Sequence, residues 1–69
     1  MITIRLNGEE RELPDGATVA SAVALLGVTP DARGVAAAVD REVVPRGEWE
    51  QTPLAPGTHV EVLVAIQGG

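Results

Sequence analysis

Val60-Glu61-Val62-Leu63-Val64-Ala65-Ile66-Gln67-Gly68-Gly69 closes the sequence, and most of it reads as a single strand. Side chains alternate faces along a strand, so Val60, Val62, Val64 and Ile66 share one face. Leu63 and Ala65 make the opposite face partly apolar, the pattern expected of a central strand covered on both sides. Gln67-Gly68-Gly69 then offers no apolar side chain to pack, and glycine has maximal backbone freedom. The reading is a folded domain over residues 1–66 that projects a thin, flexible diglycine tail, residues 67–69, ending in a carboxylate. Glycine-rich ends without packing partners lose entropy on ordering with no return, so the tail is expected to be disordered in the isolated protein.

A strand of this kind needs neighbours, and the other end of the chain supplies the best one. Ile2, Ile4 and Leu6 alternate with Thr3 and Arg5 over Met1 to Leu6, the pattern of a half-buried strand. Asn7-Gly8 follows, a dipeptide suited to a type I′ hairpin turn because both residues tolerate positive φ. Glu9 to Leu13 returns as a polar, charged strand appropriate to a sheet edge. After the turn Pro14-Asp15-Gly16, Thr18 is placed to cap a helix. Val19, Ala22, Val23, Leu25 and Leu26 recur at helical spacing, and Gly27 is the expected C-terminal stop.

Thr29 to Gly34 reads as loop and Val35 to Val39 as a third strand. Asp40-Arg41 leads into Glu42-Val43-Val44 as a second hairpin, although arginine is a poor residue for positive φ. Pro45 ends that strand or marks an edge. Gly47 to Leu54 is too short and mixed for a full helix and suits a turn of 3₁₀. Pro56-Gly57 turns the chain into the last strand. One apolar helix and one sheet bury best with the helix across one sheet face. The fold class is therefore α+β, a mixed sheet of about five strands with one helix packed on one face. The first and last strands should lie adjacent at its centre. The helix should pack Val19, Val23 and Leu26 against Ile2, Ile4 and the inward valines of the last strand.

Composition excludes several function classes. The 69 residues make one domain with a modest core. There is no cysteine, so disulfides and thiolate metal sites are ruled out, and the single histidine, His59, cannot build a metal site alone. A net charge of −5 argues against nucleic acid and suits a basic partner surface. No apolar run approaches the roughly 18 residues of a membrane span. Met1 leads directly into a strand, with no signal-peptide pattern. The expectation is a soluble protein of the cytoplasm. All five basic residues are arginine, so no lysine side chain is available for an isopeptide bond.

The element order with its diglycine end resembles the ubiquitin-like β-grasp fold. Asn7-Gly8-Glu9, Leu13 to Val19, Leu25-Leu26-Gly27, Val43-Val44-Pro45-Arg46, Trp49, Leu54, Pro56-Gly57 and Val60-Glu61-Val62 resemble the sulfur carriers of thiamine biosynthesis (ThiS). The ending Ala65-Ile66-Gln67-Gly68-Gly69 is especially similar to that family's. The resemblance spans essentially the whole chain, and its strength lies in several motifs in order at the right spacing. Two departures fall in turns: Asp40-Arg41 stands where the family usually has an Asn-Gly type turn, and Thr58-His59 where Asp and a polar residue are common.

The resemblance implies a carrier that is not itself an enzyme and binds no cofactor. Its terminal carboxylate, on Gly69, would be adenylated by a separate ubiquitin-activating-type adenylyltransferase that uses ATP and Mg. A sulfur donor, cysteine desulfurase or similar, would then displace AMP to leave a thiocarboxylate for thiazole synthase. The residues themselves agree with this. No phosphate-cradling glycine loop followed by lysine is present. With zero cysteines a persulfide cannot form on the chain, which leaves the C-terminal carboxyl. Gly69 has no Cβ to hinder attack, and Gly68, with Gln67, lets the tail thread a narrow channel. Leu63 and Ala65, with Glu61 nearby, are the candidate partner surface. His59 reads as a solvated strand-entry residue and Trp49 as cover for one end of the core, with some exposure. A molybdopterin-synthase-type carrier, a protein modifier and a non-covalent β-grasp interaction module remain open as alternatives.

Overall fold

The computed structural model describes residues 1–28 and 33–65. Strand β1 (Ile2–Leu6) buries Ile2, Ile4 and Leu6 and exposes the residues between them. Asn7 and Gly8 turn the chain with φ of 51° and 84°, both in the left-handed region that an I′ hairpin requires. Strand β2 (Glu9–Leu13) returns antiparallel at the sheet edge. The remaining elements are α1 (Val19–Leu25), β3 (Val35–Val39), β4 (Glu42–Val44), a 3₁₀ helix at Arg46–Gln51, and β5 (His59–Val64). The strand order is β2-β1-β5-β3-β4, which puts β5 in the middle. It runs parallel to β1 and antiparallel to β3. The expected adjacency of the first and last strands is present.

The helix lies against one face of this sheet. Val19, Ala22 and Val23 are buried with Ile4, Leu6, Ala37, Val60 and Val62, and Leu26 packs partly against them. Ser21 Oγ accepts the Thr18 N–H at 3.0 Å, occupying a donor that the first turn would otherwise leave open. Gly27, at φ +74°, ends the helix as expected, and its N–H donates to the Ala24 carbonyl at 3.0 Å. Leu25 departs from expectation: it is 37% exposed. It sits six residues past Val19, and about 100° of rotation per residue turns it off the buried face.

Two expectations for β5 need correction. It is not covered on both sides: Glu61 and Leu63 are exposed on the face opposite the helix, because a single helix covers a single face. Val64 shares the inward row yet is 50% exposed. A seven-residue helix is about 10 Å long, whereas a six-residue strand spans about 20 Å, so the end of β5 runs out from under α1. Trp49 also differs. It is buried to 3% exposure, and its indole N–H donates to the Val44 carbonyl at 2.8 Å. That bond supplies the one polar group of the ring with a partner, so the whole side chain can be enclosed.

Asp40 and Arg41 form the second hairpin with φ of 47° and 72°. The reluctance of arginine for this region is overcome by anchoring next door. The Asp40 N–H donates to the His59 carbonyl at 2.8 Å, and Asp40 Oδ1 accepts the His59 N–H at 3.1 Å.

Candidate functional site

The candidate site is the end of β5, built from the centre of the sheet outward. Val60 and Val62 point into the core and fix the strand's rotation. Alternation then puts His59, Glu61 and Leu63 on the opposite, open face. Strand pairing extends that face sideways. Ala36 is opposite Leu63, Ala38 is opposite Glu61, and Val43 is opposite Ala38. Leu63 is 67% exposed and Val43 74% exposed, and the small Ala36 and Ala38 lie between them. The result is a low apolar strip crossing from β5 to β4, edged by Glu61. On its other flank Arg5 pairs with His59. Leu63 and Glu61 are thus brought together as the sequence suggested, with Ala65 exposed just beyond the strand's last residue. Val43 and Ala36 were missed, because cross-strand pairing is not written in local periodicity. The one available signal was the apolar Val43 beside Val44 in so short a strand.

Beyond Leu63 the chain is held closely. The Ala65 N–H donates to the Gly34 carbonyl at 2.7 Å, and a Cβ placed on Gly34 would stand 3.1 Å from the Ala65 Cβ. On the other side Asn7 reaches across to Val62 with both ends of its carboxamide. Gln67, Gly68 and Gly69, the residues to which the sequence assigns the chemistry, lie outside the described residues, as does the boundary expected at residue 66. Among the described residues no group of three or more His, Cys, Asp or Glu is placed to hold a metal ion. No helix among them is long and apolar enough to cross a membrane.

A five-stranded mixed sheet, with β1 and β5 parallel at its middle and one helix across one face, is the β-grasp class of ubiquitin-like proteins. Comparison with known proteins narrows the class. The model of the ThiS family matches residues 4–69, and the chain belongs to that family, the sulfur carriers of thiamine biosynthesis. The crystal structure of a thiamine biosynthesis protein (ThiS) from Geobacter metallireducens superposes with a TM-score of 0.76, covering 99% of this chain and 100% of that one at 24% identity. A solution structure of a thiamine biosynthesis protein from the same organism gives a TM-score of 0.78 over 99% and 88% of the two chains, also at 24% identity. At that identity these two establish the fold. A protein named thiazole synthase from Paramagnetospirillum magneticum is 36% identical over 64 residues, which is 93% of this chain and 19% of that protein. The chain therefore spans a minor part of that relative's length.

Proposed function

We propose that this chain carries sulfur as a thiocarboxylate on Gly69 and donates it for formation of the thiazole ring of thiamine. The observation that carries this reading is the family match, which runs through Gly68-Gly69 on a chain that contains no cysteine. A carboxylate resists nucleophiles because its charge repels them and oxide is a poor leaving group. Attack of a Gly69 carboxylate oxygen on the α-phosphate of ATP would release pyrophosphate and leave an acyl adenylate. A hydrosulfide-level nucleophile would then add at the carbonyl carbon and expel AMP, leaving the thiocarboxylate and a proton. The chain contributes the acyl group and its presentation. A ubiquitin-activating-type adenylyltransferase supplies the ATP and Mg chemistry, and thiazole synthase takes the sulfur.

The apolar strip at Leu63, with Ala65 and Glu61, is the surface on which the adenylyltransferase would dock. Exposed apolar groups gathered on one face mark such contacts. The thiamine branch, rather than the molybdopterin one, is supported by the relative named thiazole synthase, in which a stretch similar to this chain is part of the same polypeptide. The test is intact mass and C-terminal peptide analysis after incubation with the adenylyltransferase, Mg-ATP and a sulfide source. The expected product has one sulfur in place of one oxygen, mapped to Gly69. Sulfur on any other residue, or none with an active adenylyltransferase, overturns the reading.

A further inference from the structure

β5 ends with one edge open. On its β3 side the ladder runs to Val64 opposite Val35, and the Ala65 N–H continues it to the Gly34 carbonyl. On its β1 side the ladder stops after Leu6 opposite Val60, because the chain turns away at Asn7-Gly8. Main-chain groups along a strand point alternately to its two neighbours. Ala65 points to β3, so Val64 points to the β1 side, as Val60 and Val62 do. The Val60 carbonyl accepts the Asn7 N–H at 2.9 Å, and the Asn7 carboxamide bonds to both main-chain groups of Val62. Beyond Asn7 that support ends: among the described residues neither the N–H nor the C=O of Val64 has a partner.

The side chains around this gap are apolar on both faces. Val64 is 50% exposed on the helix side, Leu63 is 67% exposed on the other, and Ala65 is exposed beside it. Sheets blunt a free edge with charge, proline or brevity. The two outer strands follow that rule: β2 carries Glu9, Glu10, Arg11 and Glu12, and β4 is three residues long and runs into Pro45. The end of β5 has none of these. A cleft of about 550 Å³ runs along this side of β5, from Arg5 and His59 to Gly8 and Leu63.

We propose that the open edge at Val64 receives an extended segment of the adenylyltransferase, which adds to the sheet as a strand in the place that β1 vacates. This rests on the sulfur-carrier reading. Strand addition takes its affinity from main-chain bonds and its selectivity from alternate side chains. The segment accepts the Val64 N–H and donates to the Val64 carbonyl. Its side chains lie alternately beside Leu63 on the open face and beside Val64 on the helix side, so both are apolar. It supplies the cover that the two-sided apolar pattern of β5 calls for and that α1 gives to one face alone. Glu61 sets the segment's charge. It is in neither ion pair found among the described residues, on a chain with ten acidic and five basic residues, so a basic side chain meets it. A second copy of this chain would instead bring its own net charge of −5 to the same edge.

The experiment measures amide exchange in the free protein and in its complex with the adenylyltransferase, without ATP. In the free protein the Val64 N–H should exchange at close to the rate of an open chain, while that of Leu63, which faces β3, is protected. In the complex Val64 exchange should slow by at least about tenfold. Val64→Pro and Val64→Ala separate pairing from mere cover. Both remove apolar contact, but proline also removes the N–H, and that N–H faces away from β3, so no sheet bond is lost. The two variants should unfold at similar midpoints, and Val64→Pro should bind at least about fivefold more weakly than Val64→Ala. Glu61→Gln should flatten the dependence of Kd on salt, and an unaltered dependence removes the basic side chain from the proposal. Equal binding by the two Val64 variants, or Val64 unprotected in the complex, overturns the proposal and leaves the carrier reading standing. Protection of Val64 in the free protein also overturns it. Protection that grows with concentration assigns the edge to a second copy, and protection that does not assigns it to this chain's own residues. Should Val64→Pro fail to fold, the exchange measurement decides alone. If the unsubstituted protein neither binds the adenylyltransferase nor is adenylated, the carrier reading fails and this proposal fails with it.

Discussion

Gly34 has little freedom to be anything else. Its φ is +72°, and any Cβ there would press on Ala65 at 3.1 Å while the same two residues share a 2.7 Å hydrogen bond. Relief of the clash would have to come from the main chain of β5 or β3, since a Cβ cannot rotate away. Gly34→Ala is therefore expected to cost about 1–3 kcal/mol, the range for a non-glycine residue forced into a strained backbone region. A chemical denaturation midpoint equal to the parent's would mean that the end of β5 yields freely. None of this is legible in the sequence, where Thr29 to Gly34 reads only as loop: close approach depends on which strand lies alongside. Asn7 divides the same way. The Asn-Gly dipeptide announces the turn and its positive φ, both of which are found. It says nothing of the Val62 main chain, 55 residues further on, to which the side chain bonds. Helical spacing, by contrast, located Val19 and Val23 in the core, because that information is local.

Among the elements, the second hairpin works against its own residues. Arg41 sits at φ 72° with the side chain exposed, where an L-residue gives up about 1–2 kcal/mol relative to the right-handed region. Glycine avoids that cost but loses about 0.5–1 kcal/mol through the freedom of the unfolded chain. Arg41→Gly is thus expected to stabilise the protein by up to about 1 kcal/mol, seen as a raised urea midpoint at unchanged m-value. A lowered midpoint would show that the Arg41 side chain contributes more than its backbone costs. The hairpin forms regardless because β3 already pairs with β5 on its other edge, and Asp40 ties the turn to His59 twice. Tertiary context overrides the local preference, which is why Asp-Arg was a weaker signal than Asn-Gly. The same logic explains the misjudged cover of β5. Its mixed apolar pattern is genuine, but one short helix can shield one face only, so Leu63 stays in the open.

At the scale of the whole molecule, the proposed function assigns binding and chemistry to different residues, so the two can be tested apart. The core lies on the helix side of the sheet and the apolar strip at Leu63 lies on the other. Leu63 is mostly solvated, so replacing it touches no core packing and should leave the unfolding free energy within about 0.5 kcal/mol of the parent's. Burying a leucine in an interface is worth about 1.5–3 kcal/mol. Leu63→Asp should therefore weaken adenylyltransferase binding by at least about tenfold. Glu61 on the same face adds to the effect, because a second carboxylate beside it raises the cost of desolvation. Deleting Gly69 should do the reverse. The strip is intact, so Kd by calorimetry should move by less than about threefold, under 0.7 kcal/mol. No sulfur should be gained, because removal of Gly69 leaves the carboxylate one residue short of the site that must receive it. The pair of variants is a double dissociation: one loses binding and keeps the acyl group, the other binds and cannot react. Undiminished binding by Leu63→Asp would move the interface to another face of the sheet. Full sulfur loading of the Gly69-deleted protein would remove the carrier reading itself and leave a β-grasp module that acts through contact alone.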